Sequence, residues 1–539
     1  MKHTALLIIS LLLSHCVMAQ QTFRRRQCGT AMLMEREAAA YSKGQRAISK
    51  QKDYVPHTGT ITIPVVLVNF QDAKFKINNP KEAFEQLFNS DKQADLGNGN
   101  HHNYGSVAKY FHDMSGGTFT PNFKVYDPVT LDKPETYYGG KNEDNNKDED
   151  PRQLVKDALK LIEDQVTEDD IKSFCSDGKT VDCVYVVYAG LGQNDGGAGT
   201  TVWANTWTTD GATLGGKSVR WYTMSPELSS MKLDDNGKFN NKGTIPAVSG
   251  IGVICHEFSH ALGLPDFYPT AESAYVDNQE MEYWDLMDGG EYTYYGYRPT
   301  AYTAFEKEQM EWPVDIKTLD SDASVTMQTS TEQGGTAYKI VNPDNQNEYL
   351  MLECIQRNGW NKHLFGNGLL VYHVCLPSET ITSNTYLNNT RGFPGMAVVP
   401  ADGACLSSYI EANKKDYGNS HYGDLFPGTG NLQGQNVTEL SDTNKQPNFC
   451  WYNAAKTEKL NTNKAIKNIK YDNGVLTFDY VNDVASGILP VWGDKQATDG
   501  RVYSINGAYL GDDITKLPHG IYIVNGQKDR EIRKDKVTQ

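Results

Sequence analysis

The chain has 539 residues, too many for one ordinary domain, and predicts two or three. Its charged fraction is 22% and its formal net charge is -16, with no basic cluster beyond Arg24-Arg25-Arg26. Those values exclude a disordered chain and argue against a nucleic-acid partner.

From the N-terminus, an apolar run over 5–13 follows Lys2 and His3, and Val17-Met18-Ala19 then offers small residues before Gln20. The run is too short to span a bilayer, so residues 1–19 read as a secretory signal peptide and the chain as secreted or displayed at the cell surface. Cys16 raises a lipid-modification alternative, but His15 stands before it where a small residue is wanted. Export permits disulfides among the eight cysteines that follow. Cys175 with Cys183 and Cys354 with Cys375 are local pairs that the spacing allows. Residues 20–57 read as a polar lead-in or pro-segment, in which Cys28 either is an unpaired thiol or occupies a metal before activation.

A nearly continuous apolar stretch, Ile61 to Phe70, predicts a central strand. Helices are expected over Lys81 to Asn89 and Ser106 to Met114, then a strand over Phe119 to Tyr126. The run Asp144, Asn146, Asp148, Asp150 alternates oxygen donors but lacks the glycine and glutamate of an EF-hand. It reads as a solvated acidic loop, with a Ca2+ site as the alternative. A helix over Gln153 to Asp164 and a buried strand over Val181 to Ala189 follow. Strands alternating with helices predict an α/β domain with a mixed sheet over 58–312.

The stretch Gly250 to Pro269 organises that domain. It contains His256-Glu257-Phe258-Ser259-His260, two histidines one turn apart on one helix face. This spacing lets both imidazoles reach one Zn2+, while Glu257 can take a proton from a metal-activated water. Gly263 stands where the helix would end with positive φ, and Asp266 follows in the third-ligand position of an HExxHxxGxxD pattern of metzincin spacing. Asp285 and Glu306 remain alternatives for that ligand. Met287, within Trp284-Asp285-Leu286-Met287-Asp288-Gly289-Gly290, fits a Met-turn, although no Tyr stands two residues beyond it. Pro299 to Trp312 reads as a closing helix.

These segments, with Gly105 to Gly117, Val184 to Gly190, Asn347 to Val374 and Gly423 to Gly428, resemble the immune inhibitor A type of secreted zinc metallopeptidase. The resemblance runs from about Ile61 to Cys450. It implies peptide-bond hydrolysis of protein or peptide substrates, with His256 and His260 as zinc ligands, Glu257 as catalytic base, and Asp266 matching the motif's terminal aspartate. A non-enzymatic surface or adhesion protein that retains the zinc fold is the rival reading, and a zinc hydrolase of a non-peptide bond is a second.

Residues 313–485 show short alternating strands and read as a β-sandwich-like domain, in which Tyr372 and His373 are structural. Residues 486–539 form a small β module that resembles the C-terminal sorting modules of secreted Bacteroidetes proteins and would engage export machinery. No segment is long and apolar enough to span a membrane, and the chain is expected to act as a monomer.

Overall fold

The computed structural model describes residues 54–90, 102–140, 148–240, 242–275, 280–377, 381–383, 385–407, 410, 416–428, 436–444, 446–483, 502–504, 509–511, 522–524 and 527–529. The expected leader, Cys28 and the pro-segment up to residue 53 lie outside these, as do Asp144 and Asn146 of the acidic run, while Tyr54 and Val55 at the end of that segment are buried in the core. Two compact units result, Met1–Asn482 and Asp483–Gln539.

An eight-stranded mixed sheet underlies the first part of the larger unit. Its main path runs β2 (Phe119–Val125), β1 (Gly59–Asn69), β3 (Val181–Leu191), β5 (Lys217–Leu233), β4 (Asn205–Thr208). The first four are mutually parallel, and β4 closes the edge antiparallel to β5. Strand β6 (Ile245–Val248) also pairs antiparallel with β5.

β-Branched residues fill the central strands because both faces are covered. Ile63, Val65 and Leu67 of β1, with Cys183, Tyr185 and Val187 of β3, face one core. Their alternates Val66, Val68, Val184 and Val186 face a second. Helix α3 (Pro151–Ile162) covers the second core through Leu154, Val155, Ala158, Leu159 and Ile162. Helices α1 (Pro80–Asn89), α2 (Val107–Met114) and α4 (Ile251–Leu262) cover the first. Phe258 of α4 is buried there, edge-on to Phe111 and Phe123. Its truncation to alanine would cost about 3–5 kcal/mol.

Two expectations need correction. The closing helix α5 is only Ala304–Gln309, because the side chain of Thr303 caps it and accepts from Glu306 N at 3.2 Å, while Glu306 reaches back to Thr303 N at 2.7 Å. Residues 299–303 therefore precede the helix. The 17-residue strand β5 has no counterpart in the sequence reading. Pro226 lies within it, and proline argues against a central strand. Here Pro226 falls opposite Tyr188, next to a break in the β3 ladder.

After α5 the larger unit builds two larger sheets, besides a two-stranded pairing of Trp451–Tyr452 with Lys459–Leu460. The first orders β12 (Met396–Val398), β11 (Gly368–Cys375), β10 (Asn345–Ile355), β9 (Ala337–Asn342) and β7 (Ile316–Thr318). The second orders β8 (Ala323–Met327), β15 (Val475–Val481), β14 (Ala465–Asp472) and β13 (Leu440–Ser441). Leu350, Leu352, Leu369 and Val371 meet Val325, Leu476 and Phe478 in a core between the two. Their alternates Met351, Leu370, Tyr372 and Val374 belong to the same core as α4, Trp284 and Met287. One core thus includes residues on both sides of position 312.

The smaller unit is a four-stranded sheet ordered β17 (Tyr509–Gly511), β16 (Val502–Ser504), β18 (Tyr522–Val524), β19 (Gln527–Asp529), antiparallel throughout. No described helix is long and apolar enough to cross a membrane.

Candidate metal centre

Helix α4 enters the core at glycine. A Cβ on Gly252 would fall 1.9 Å from the Glu291 carbonyl oxygen, so only glycine admits the segment that crosses here. The helix ends at Gly263 with φ 119°, where its N–H donates back to His260 O and Ser259 O at 3.0 and 3.1 Å. That reversal lets Asp266 return toward the helix.

His256, His260 and Asp266 are fully buried and converge. Asp266 Oδ1 lies 3.3 Å from His256 Nε2 and 3.3 Å from His260 Nε2. The two rings stand 4.8 Å apart at 87°. Two atoms each ~2.0–2.1 Å from a tetrahedral centre stand about 3.3–3.4 Å apart, so the spacing is that of a tetrahedral edge. Among the described residues no other trio of His, Cys, Asp or Glu gathers this closely.

The histidines are aimed by their other nitrogens. His256 Nδ1 donates to Leu286 O at 3.0 Å and His260 Nδ1 to Leu264 O at 2.7 Å. A carbonyl oxygen only accepts, so in the neutral rings the proton sits on Nδ1 and the lone pair on Nε2, toward Asp266. Burial opposes ionisation of Asp266; protonated His260 and His256 would outweigh burial and hold its carboxyl well below the ordinary range, and with both rings neutral a cation among the three takes over that part. Two nitrogen lone pairs and one carboxylate oxygen form a donor set suited to Zn2+.

The turn at Met287 supports this trio. Asp285 Oδ1 accepts from Met287 N at 2.6 Å, and Met287 O accepts from Phe267 N at 2.8 Å. A single turn thus fixes His256 through Leu286 O and the residue after Asp266 through Met287 O. Met287 itself is buried.

Glu257 is buried beside the edge strand. Thr206 Oγ1 of β4 lies 2.6 Å from the Glu257 carbonyl oxygen and 3.1 Å from its Oε2. Nothing near Thr206 in sequence marks it; the contact spans 51 positions.

Asp285 and Glu306 are engaged elsewhere. Glu306 is committed to the α5 cap, and Thr303 Oγ1 reaches Asp285 Oδ2 at 3.4 Å. Burial pushes Glu306 up to about 8 despite the Thr303 hydrogen bonds. Burial and then the charge of Glu306 raise Asp285 as well, so the pair holds a proton at neutral pH.

Residues 50–314 match the model of the immune inhibitor A peptidase M6 catalytic domain. This part of the chain is similar to that catalytic domain. Immune inhibitor A of Bacillus thuringiensis subsp. alesti is 27% identical over 306 residues, which cover 48% of this chain and 41% of the relative. The pre-pro-metalloprotease PrtV of Vibrio cholerae serotype O1, strain M66-2, is 24% identical over 327 residues, covering 52% and 34%. The chain therefore matches less than half the length of these relatives. His256, Glu257, His260 and Asp266 all fall within the immune inhibitor A segment.

Other candidates have structural explanations. Asp150 caps α3 by accepting from Gln153 N at 3.0 Å, and Asp148 Oδ2 accepts from Trp203 N at 2.9 Å. Tyr372 donates to Glu353 at 2.6 Å, and His373 pairs with Glu348 at 3.0 Å. The expected disulfides do not form. Cys175, Cys183, Cys354 and Cys375 are thiols. Cys175 and Cys183 belong to cores on opposite faces of the first sheet. Cys354 lies opposite Leu369 and Cys375 opposite Glu348, six positions apart on one ladder.

Proposed function

We propose that this chain is a zinc-dependent endopeptidase whose metal is held by His256, His260 and Asp266. The position of Asp266 Oδ1 at tetrahedral-edge spacing from both Nε2 atoms, with Glu257 next to His256 in the motif, carries the reading. The similarity to the immune inhibitor A peptidase domain supports peptide bonds as the substrate, and the similarity to the metalloprotease PrtV supports a metal.

A bound zinc would supply a Lewis acid that acidifies a water to a pKa of about 7 and polarises the scissile carbonyl. The protein does the rest. Glu257 accepts the water's proton on its carboxylate and returns it to the leaving amine. Thr206 steadies Glu257 from the edge strand. Leu286 O and Leu264 O keep both imidazoles in the tautomer that offers Nε2. Export by the leader would bring the site to proteins outside the cell, and N-terminal sequencing of the mature chain reports on that step.

Metal content measured beside casein hydrolysis tests the proposal. Glu257→Ala should keep near-stoichiometric zinc and lose roughly 100- to 10,000-fold in turnover. His260→Ala should lose zinc and activity together, and Asp266→Ala should bind zinc more weakly. Wild-type turnover in Glu257→Ala would sink the mechanism. Zinc without hydrolysis of any peptide library would favour the adhesion reading or a non-peptide substrate.

A further inference from the structure

The loop that carries Asp266 is gripped from a part of the chain outside the family-matched segment. Phe267 follows Asp266, and its N–H is taken by Met287 O. Its carbonyl oxygen accepts from Asn388 Nδ2 at 2.7 Å. Asn388 is buried, and both ends of its amide are used. The same Nδ2 donates to Met396 O at 3.0 Å, and Oδ1 accepts from Met396 N at 2.8 Å, which ties the side chain to strand β12. The next residue takes the far end of the loop. Asn389 Oδ1 accepts from Thr270 N at 2.8 Å and Ala271 N at 3.2 Å, and its Nδ2 donates to Thr270 Oγ1 at 2.7 Å. Two adjacent asparagines thus hold the backbone from Phe267 to Ala271.

We propose that Asn388 and Asn389 are positioning residues of the metal centre, fixing the loop so that Asp266 Oδ1 meets the two histidine Nε2 atoms. Asp266 sits on neither helix nor strand. Its place depends on the Gly263 reversal at one end and on whatever holds residues 267–271 at the other. Asparagine suits that task because one short side chain both donates and accepts, and so satisfies backbone groups of two segments at once. The inference rests on reading the site as a zinc centre.

The test uses the full chain and Zn2+, with the dissociation constant obtained by competition against a chromophoric chelator. A Co2+-substituted sample supplies the visible spectrum of the site. Asn388→Ala should weaken zinc binding roughly 10- to 100-fold, the usual cost of losing an outer partner of a metal site. Its cobalt spectrum should change while its far-ultraviolet circular dichroism does not. Asn389→Ala should weaken binding as well, whereas Asn389→Asp, which keeps an oxygen for Thr270 N and Ala271 N, should recover most of the loss.

Should Asn388→Ala fail to fold, the Asn389 pair decides alone. Wild-type affinity and spectrum in the folded alanine variants overturn the proposal, and so does an equal loss in Asn389→Ala and Asn389→Asp. Measuring wild type and His260→Ala in the same assay separates the two levels. Zinc lost in His260→Ala but held normally in the asparagine variants leaves the zinc reading standing and removes only this inference. A wild-type chain that binds no zinc removes both.

Discussion

Each metal-directed histidine uses one ring nitrogen to aim the other, and both acceptors are main-chain carbonyls. Side-chain substitution therefore cannot remove them, and the mutable support of the site lies with residues such as Thr206. Thr206 Oγ1 has a single proton for the Glu257 carbonyl, its carboxylate and the nearby Thr223 hydroxyl. Thr206→Val keeps the shape and removes the donor. Its kcat/KM should fall about fivefold, the equivalent of one hydrogen bond of about 1 kcal/mol, with zinc content unchanged. Steady-state kinetics with parallel metal analysis checks it, and Thr206→Ser should retain the activity. His256, Glu257, His260 and Asp266 were legible in the sequence because all four belong to one short run with a fixed helical period. Thr206, Asn388 and Asn389 were not. Their contacts cross 51 to 121 positions, and a threonine in a strand or an asparagine in a loop has many ordinary explanations.

Element boundaries depended on side chains that compete for backbone. Strand β1 and helix α4 were readable, the first from its apolar run and the second from its glycine stop. Helix α5 was read too long, because the Thr303–Glu306 capping box sets a later start than the apolar pattern suggests. That box gives the helix a pH response. Burial raises the Glu306 pKa from its ordinary 4.5 to about 8, so the folded state binds a proton that the unfolded state releases. The stability it contributes is complete below about 4.5 and is lost as pH rises toward about 8. The slope is at most about 1.4 kcal/mol per pH unit. Glu306→Gln keeps an oxygen for Thr303 N and carries no charge toward Asp285. Its melting temperature should match wild type near pH 5 and exceed it near pH 8. Thermal scans across that range check this, and an unchanged wild-type to variant difference would refute the shared proton.

At the scale of the molecule, sheet β12-β11-β10-β9-β7 is apolar on both faces. Leu350 and Val371 face the second sheet, and Met351, Leu370 and Tyr372 face the core under α4. The sequence reading takes these strands as alternating, yet Leu369 to Tyr372 is unbroken apolar or aromatic, as expected of a strand buried on both sides, which loses its period of two. Glu353 adds a polar tie: its Oε1 accepts from Ala304 N at 2.9 Å, at the start of α5. A chain ending at residue 314 would keep every motif residue but would expose that core and leave the Asp266 loop without its asparagines. Expressed alone, residues 54–314 should be poorly soluble or lack a cooperative melting transition, whereas 54–482 should melt as one transition. A soluble, zinc-binding 54–314 fragment would refute this.

The doubly buried sheet also bears on how such a chain can be rebuilt by recombination. A crossover just after α5 would join a motif-bearing half to a foreign β-rich half, and the hybrid would inherit the chemistry without the surface that seats it. Viable chimeras should instead exchange the two halves together, so that the heritable module is the whole body and the short metal motif is only its most recognisable signature.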